Sequence, residues 1–346
     1  MEINGKSIWQ VAAGDTDREY SKIFLKWDVI LIGSGRYGRW PNQDYNNSKN
    51  SNELKRFCEG VKDQDLVVLR SGTNKVLAVG EVVGDYEWYN EFGDVDGWNL
   101  EHTRRVRWLW TEGVVFPTYS LKWGGTISSL DSQDIKLWLS NLTITEESYK
   151  RELIKLPFSK KDSRLDLLDL NQISEHLFDK GIASNSIENL LHEMGGLIRV
   201  AKWYDRVNIK PSEDETRAYL VIPLLRALGW TQQRMAIEWH NIDVALFSEP
   251  LRNENKLSAV VEAKRKDNSC LNAQLQAEDY AKNKKTCKRL IVTDGLRYGV
   301  FIKASEQFKL SAYMNLTRLI DKYPIYECGG AADLLSQITP EFNDAT

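Results

Sequence analysis

Apolar positions follow two different rhythms along the chain. Up to about residue 142 they come in short, β-rich runs separated by Gly, Asn and Asp: Ser7 to Ala12, Val29 to Ile32, Leu66 to Leu69, Val76 to Val83 and Val106 to Leu109. Such runs predict strands. Ser51 to Cys58 and Asp131 to Leu139 predict helices, each opening on a capping residue. A small, strongly curved sheet or barrel with two or three helices follows. Between Asn141 and Arg164 the chain turns charged and polar, with Lys160-Lys161-Asp162 at its middle, and reads as a linker. Leu165 to Tyr204 then shows helical spacing through Ile187, Leu190, Leu191, Met194, Leu197 and Ile198, with Asn185 or Ser186 as the cap.

Further on, Ser212-Glu213-Asp214-Glu215 is a capping box that opens a helix, and Pro223 is expected to kink or end it. A strand around Met235 to Trp239 precedes a hairpin from Asn241 to Lys264. A helix then carries Gln274, Gln276 and Tyr280, and two strands lie around Leu290 to Thr293 and Tyr298 to Lys303. The pattern predicts a multidomain α+β chain. Residues 1–142 form a curved β domain, 143–205 a linker and helical spacer that also offers a dimerisation surface, 206–325 an α/β domain with a mixed sheet flanked by helices, and 326–346 a tail.

Composition narrows the class. With 42% apolar and 27% charged residues in 346, the chain has ample core material and is not of disordered type. No run approaches the roughly 18 apolar residues of a membrane span, and the first residues, Met1-Glu2-Ile3-Asn4, open no secretory signal. A cytoplasmic protein with no membrane partner is expected. Cys58, Cys270, Cys287 and Cys328 are scattered with no C-x-x-C pair, which argues against disulfides and structural zinc. His176 and His192 are read as helix residues, not ligands. The net charge of -3 counts against a nucleic-acid binder. Locally, though, Ala263 to Arg289 holds eight basic residues, including Arg265, Lys266 and Lys282, against three acids. A basic rim of this kind suits a phosphodiester.

The sharpest chemistry lies in the hairpin. With a turn centred between Arg252 and Asn253, Asp243 falls opposite Glu262, and Lys264 points the same way as Glu262. Charges at the end of an otherwise apolar hairpin are costly unless they hold something. Two carboxylates with an ammonium beside them suit a hard divalent cation, Mg²⁺ or Mn²⁺.

An acid followed by E-x-K on the next strand resembles the PD-(D/E)XK nuclease superfamily. The flanks extend the likeness: Glu215-Thr216-Arg217, Pro223-Leu224-Leu225-Arg226-Ala227-Leu228-Gly229-Trp230, Gln276-Ala277-Glu278-Asp279-Tyr280-Ala281 and Thr293-Asp294-Gly295. This ordered set resembles the nuclease module of type I restriction enzyme motor subunits, over roughly Ser212 to Lys303. The resemblance implies metal ligands at Asp243, Glu262, the Ala263 carbonyl and Glu215, although the capping box offers Glu215 another task. It implies catalytic roles for Lys264, Gln276 and Tyr280, with Gln274 turned away. DNA as substrate also comes from the resemblance.

In the first part, Asp28-Val29-Ile30-Leu31-Ile32-Gly33-Ser34-Gly35-Arg36-Tyr37-Gly38 runs a strand into G-x-G-x-x-G. The dinucleotide reading fails, because Arg39 to Asn47 is loop and no helix follows to hold a pyrophosphate. A flexible glycine-rich loop is expected instead. Nine of the twelve tryptophans (9, 27, 40, 88, 98, 108, 110, 123 and 138) lie here. Trp9 and Trp108 read as core. Tyr37, Trp40, Tyr45, Trp88, Tyr89 and Trp98 fall in polar stretches, where aromatic rings can stack on an unpaired base.

The segments Asp65 to Arg70, Lys75 to Gly84 and His102 to Leu109 resemble the PUA-like group that includes EVE and YTH domains. That resemblance implies an aromatic cage for a modified base. Together the two likenesses suggest a modification-dependent DNA endonuclease of the anti-phage defence type. Nothing matches G-x-x-x-x-G-K-[ST], so cleavage should need no ATP. Cutting two strands from one site implies a homodimer or transient pairing on DNA containing modified cytosine. Two alternatives stand: a defence nuclease gated by a small nucleotide or other ligand at the first domain, and a non-catalytic nucleic-acid-binding protein.

Overall fold

The computed structural model describes the chain apart from residues 15–17, 42–44, 46–50, 118–120, 122–124, 160–164 and 343–346. Trp123 and Lys160-Lys161-Asp162 lie outside the described residues. The chain is a mixed α+β protein of two compact units, Met1–Arg164 and Leu165–Thr346, each with a mixed sheet.

The first unit runs β1 (Ile8–Ala12), α1 (Ser21–Trp27), β2 (Val29–Ile32), α2 (Ser51–Lys55), β3 (Leu66–Ser71), β4 (Lys75–Trp88), β5 (His102–Trp110), β6 (Val114–Val115), β7 (Ile127–Ser129), α3 (Gln133–Asn141) and α4 (Glu146–Lys150). Among the described residues the sheet order is β2-β5-β4-β3-β1-β7, with β6 pairing the start of β4. All of these pairs are antiparallel except β1 with β3. Leu66 to Leu69 are all fully buried, which explains why β3 reads as a continuous apolar run rather than an alternation. Ile135 and Leu139 of α3 pack on Ile8, Leu66, Val68 and Val79. Gly80 sits where β4 bulges against β5; a Cβ there would lie 2.4 Å from Val106 Cγ1. Only glycine lets the two strands approach so closely.

Two expectations change in this unit. Helix α1 was not foreseen. The charged stretch after Leu142, read as linker, belongs in part to this unit: the Arg151 guanidinium donates to both carboxylate oxygens of buried Asp28 at 2.9 and 2.7 Å, and the Ile154 amide donates to Asp28 at 2.7 Å. Its charges find a buried acid rather than water.

The second unit runs α5 (Leu170–Asp179), α6 (Ser184–Val207), α7 (Glu213–Thr216), α8 (Ile222–Ala227), β8 (Met235–Trp239), β9 (Ile242–Phe247), β10 (Leu257–Ala263), α9 (Gln274–Ala281), β11 (Arg289–Thr293), β12 (Arg297–Ala304), β13 (Gln307–Asn315), β14 (Lys322–Tyr323), β15 (Cys328–Gly329) and α10 (Ala331–Gln337). The sheet order is β14-β15-β13-β12-β11-β10-β9-β8. Strands β10 and β11 are parallel, as are β13 and β15, and the other neighbours are antiparallel. Helices α5, α6, α8 and α10 cover one face through Leu190, Met194, Leu197, Leu224, Leu225 and Leu334, and α9 covers the other through Ala277 and Ala281.

Helix α6 starts at Ala183 with no side-chain cap, so Asn185 and Ser186 lie inside the helix. Pro223 falls in the first turn of α8, preceded by a widened turn over Arg217–Val221. A widened turn absorbs the amide that proline lacks, so the helical path continues through Pro223 without ending. Residues 328–337, expected as tail, contribute β15 and α10 to this unit. No helix among the described residues is long and apolar enough to cross a membrane.

Candidate functional site

The hairpin register is the expected one. Val244 pairs with Val261, and Asp243 and Glu262 are the next residues along. One Asp243 carboxylate oxygen accepts from the Ala263 amide at 2.7 Å, and the other accepts from Arg217 Nη1 at 2.7 Å. Glu262 is 1% exposed; its Oε1 accepts from Lys264 Nζ at 2.7 Å, while Oε2 is buried with no hydrogen-bond partner. Burial pushes the Glu262 carboxyl up to about 7; the Lys264 hydrogen bond works against that, and the charges of Asp243 and Glu213 add to it.

Lys264 Nζ also donates to Gln276 Oε1 at 2.8 Å, and Gln276 Nε2 donates to Tyr280 Oη at 3.2 Å. Gln274 bonds Glu278 instead. Asp243, Glu262, Lys264, Gln276 and Tyr280 are therefore one connected cluster. The Lys264 amide donates to the Thr293 carbonyl at 2.7 Å. Next to it, Asp294 caps the turn, and Gly295 takes φ +85° where a Cβ would lie 2.7 Å from Leu220 Cβ. The Thr-Asp-Gly turn thus seats the end of β11 against the helices.

Glu215 is placed differently from the expectation. Its carboxylate accepts from the Ser212 amide at 2.8 Å while the Ser212 hydroxyl accepts from the Glu215 amide at 3.1 Å, and its charge bears on Tyr204 of α6. The acid whose charge reaches Glu262 is Glu213, one residue into the helix. The two lie about 200° apart around the axis, whereas Glu213 and Arg217 share a face. A sequence signal for this existed: a glutamate at the third position of a capping box is already committed to the cap.

The basic rim is thinner than the charge count suggests. Arg265 and Lys282 are exposed, but Lys266 is buried, with its ammonium held by Asp205 and Asp267. Arg289, 1% exposed, donates to the Gln337 and Thr339 carbonyls and to Ser258. Both were drawn inward because an acid or carbonyl cluster was there to satisfy them.

In the first unit the expected aromatic residues part into three groups. Tyr37, Trp40 and Tyr45 gather, with ring centroids 5.5 and 5.4 Å from Tyr45. They meet Trp88 and the unforeseen Tyr86 around a fully buried His102, whose ring lies 4.9 Å from Trp88 and 5.7 Å from Tyr86. Tyr89 instead packs among Phe92 and Phe158. Trp98 lies against Arg18 and Tyr20. Tyr45 is 1% exposed, so it is a core ring and not a mobile loop residue.

The hydrogen bonds around His102 run in one direction. Tyr45 Oη donates to the Gly38 carbonyl, so it accepts from His102 Nε2–H at 2.8 Å. His102 Nδ1 then accepts from Tyr86 Oη at 2.8 Å, and Tyr86 accepts from the Trp40 amide at 3.4 Å. Burial pushes the imidazole down to about 4. Between about pH 6.5 and that value the unfolded chain binds a proton that the folded unit refuses. This unit should therefore lose stability as pH falls through the window, by on the order of 3 kcal/mol in total. Urea unfolding at pH 7 and pH 4.5 reads the loss, and an H102Q variant with an undiminished pH dependence would refute it.

Among the described residues no group of three or more His, Cys, Asp or Glu side chains is arranged to hold a metal ion. The hairpin therefore offers two carboxylates and backbone oxygen.

No curated protein matches the chain. A family model described as a domain of unknown function, DUF8426, matches residues 9–129, which span β1 to β7 of the first unit. A solved structure described as "the fragment structure of a putative HsdR subunit of a type I restriction enzyme from Vibrio vulnificus YJ016" is similar at 22% identity and a TM-score of 0.23, covering 34% of this chain and 25% of that one. The chain is thus weakly similar to a restriction-enzyme fragment, and spans about a quarter of that fragment's length.

Proposed function

We propose that the chain is a nuclease that hydrolyses phosphodiester bonds in DNA with Mg²⁺ or Mn²⁺, its second unit being a PD-(D/E)XK core and its first a PUA-like reader. The observation that carries this is the buried Glu262 with an unpartnered oxygen, set between Asp243 and Lys264. A buried carboxylate oxygen without a donor is costly unless a cation completes it. The donor set fits the group: each Asp243 oxygen keeps a lone pair beyond the one already used, and Mg²⁺ is commonly held by one or two carboxylates plus waters and substrate phosphate. Asp243, Glu262 and the Ala263 carbonyl would hold it, with Glu213 adding negative charge nearby in the place first given to Glu215.

When bound, the cation lowers the pKa of a water and neutralises phosphate charge. The chain's own residues do the rest. Lys264, hydrogen-bonded between Glu262 and Gln276, is held to orient the attacking water and to stabilise negative charge on the phosphate. Gln276, braced by Tyr280, fixes the ammonium. Arg265 and Lys282 serve as exposed phosphate contacts.

In the first unit, Tyr37, Trp40 and Trp88 stand as partly exposed rings over the Tyr45–His102–Tyr86 chain, a setting suited to stacking on a base taken out of the duplex. A modification-dependent defence enzyme follows, acting as a homodimer or by transient pairing so that both strands are cut. The test is cleavage of matched DNAs, unmodified, 5-methylcytosine-containing and hydroxymethylcytosine-containing, with Mg²⁺ or EDTA. Cutting confined to modified DNA and lost in EDTA is expected. Equal cutting of all three would reassign the first unit to sequence recognition, and no cutting of any would favour a ligand-gated nuclease.

A further inference from the structure

The Arg217 side chain is 10% exposed and binds three acids from three elements: Asp214 on α7, Glu238 on β8 and Asp243 on β9. An arginine so enclosed is expensive to desolvate, and a surface ion pair does not need one. Glu238 reaches it from a backbone at φ +54°, a region non-glycine side chains rarely adopt. Asp214 and Glu238 are themselves 85% and 59% exposed, so solvent could have served both without Arg217. The buried partner is Asp243.

We propose that Arg217 is a positioning residue for cation binding: with the Ala263 amide it fixes the plane of the Asp243 carboxylate, and Asp214 and Glu238 offset its charge. The inference rests on reading Asp243 and Glu262 as cation ligands. Held from Arg217 on one oxygen and from Ala263 on the other, the carboxylate cannot rotate, and one lone pair on each oxygen remains for a ligand. The two outer acids more than offset the single guanidinium charge, so the hand that orients Asp243 does not repel an incoming cation. A lysine would bring the charge without the planar fork that spans several acceptors.

The test is calorimetric titration of Mn²⁺ into the full chain, parent and R217Q, with urea unfolding measured alongside. Outer partners of metal ligands typically contribute 10- to 100-fold in affinity, so R217Q is expected to bind Mn²⁺ weaker by about that factor. Saturating Mn²⁺ should restore cleavage to within a few-fold, which a merely structural role would not predict. A folded R217Q that binds Mn²⁺ as tightly as the parent, or tighter, overturns the inference. If R217Q does not fold, the D214N/E238Q variant replaces it: an uncompensated guanidinium beside Asp243 should weaken Mn²⁺ severalfold, and unchanged affinity overturns the inference. A parent that binds no Mn²⁺ overturns the ligand reading beneath it.

Discussion

Replacing Lys264 with alanine is expected to slow DNA cleavage by roughly 1,000-fold while leaving DNA binding within a few-fold of the parent. The ammonium has two tethers, Glu262 and Gln276, and its side chain is 23% exposed, so it is pinned yet open to a substrate. Removing one preorganised group that stabilises developing charge in a water-poor site costs about 100- to 1,000-fold. Lys264 also donates to Glu262, so alanine removes a hydrogen bond that seats that carboxylate as well as the charge near the phosphate, and the upper end of that range is expected. In the proposed function the salt-dependent part of binding falls to exposed basic residues such as Arg265 and Lys282, which this substitution leaves untouched. Single-turnover cleavage with Mg²⁺, and fluorescence anisotropy with Ca²⁺ in its place, separate the two. A K264A protein that cuts within tenfold of the parent would remove Lys264 from the chemistry.

The largest stability effect is expected at Trp230, where W230A should cost about 3 to 5 kcal/mol. The indole is 1% exposed and belongs to the same core as Leu224, Leu225 and Leu228, next to Ile338. Its Nε1 donates to the Ile338 carbonyl at 2.7 Å, which ties α8 to the end of α10, and Arg234 stacks on its face at 5.0 Å. Alanine would leave a cavity and an unpaired buried carbonyl together. W230F keeps most of the apolar volume and loses the hydrogen bond, so about 1 to 2 kcal/mol is expected. Urea unfolding monitored by far-UV circular dichroism reads both. A W230A loss below about 1 kcal/mol would mean that this seam does not hold the second unit.

Local pattern was enough for much of the architecture. The strands β2 and β9, the edges of β1 and β3, and the α6 periodicity are all legible because burial on one or both faces imposes a period on the apolar residues. The hairpin register followed from placing the turn between Arg252 and Asn253, and a slip of one residue would have turned Asp243 and Glu262 to opposite faces. Elements with weak or mixed periodicity were not visible: α1, the short strands β6, β7, β14 and β15, α10, and also the nine-residue β13, which is exposed at its start and buried without alternation at its end.

The candidate site divides along the same line. Spacing sets Asp243 opposite Glu262 with Lys264 on the same side, and Gln276 with Tyr280 on one helix face, whereas the meeting of that helix face with the hairpin was implied by the resemblance and is made by packing. Which helix acid faces the site depends on helix phase and on the cap: Glu215 is engaged by the Ser212 amide, and the charge of Glu213 acts on Glu262. Arg217, Lys266 and Arg289 look alike in the sequence as basic surface, yet each is buried because distant acids or carbonyls converge on it. His102 gathers Tyr45 and Tyr86 from segments far apart in the chain. Periodicity and spacing report what neighbours in sequence share; pairings between remote segments arise from long-range packing, and those are what set the charge and the exposure of each group.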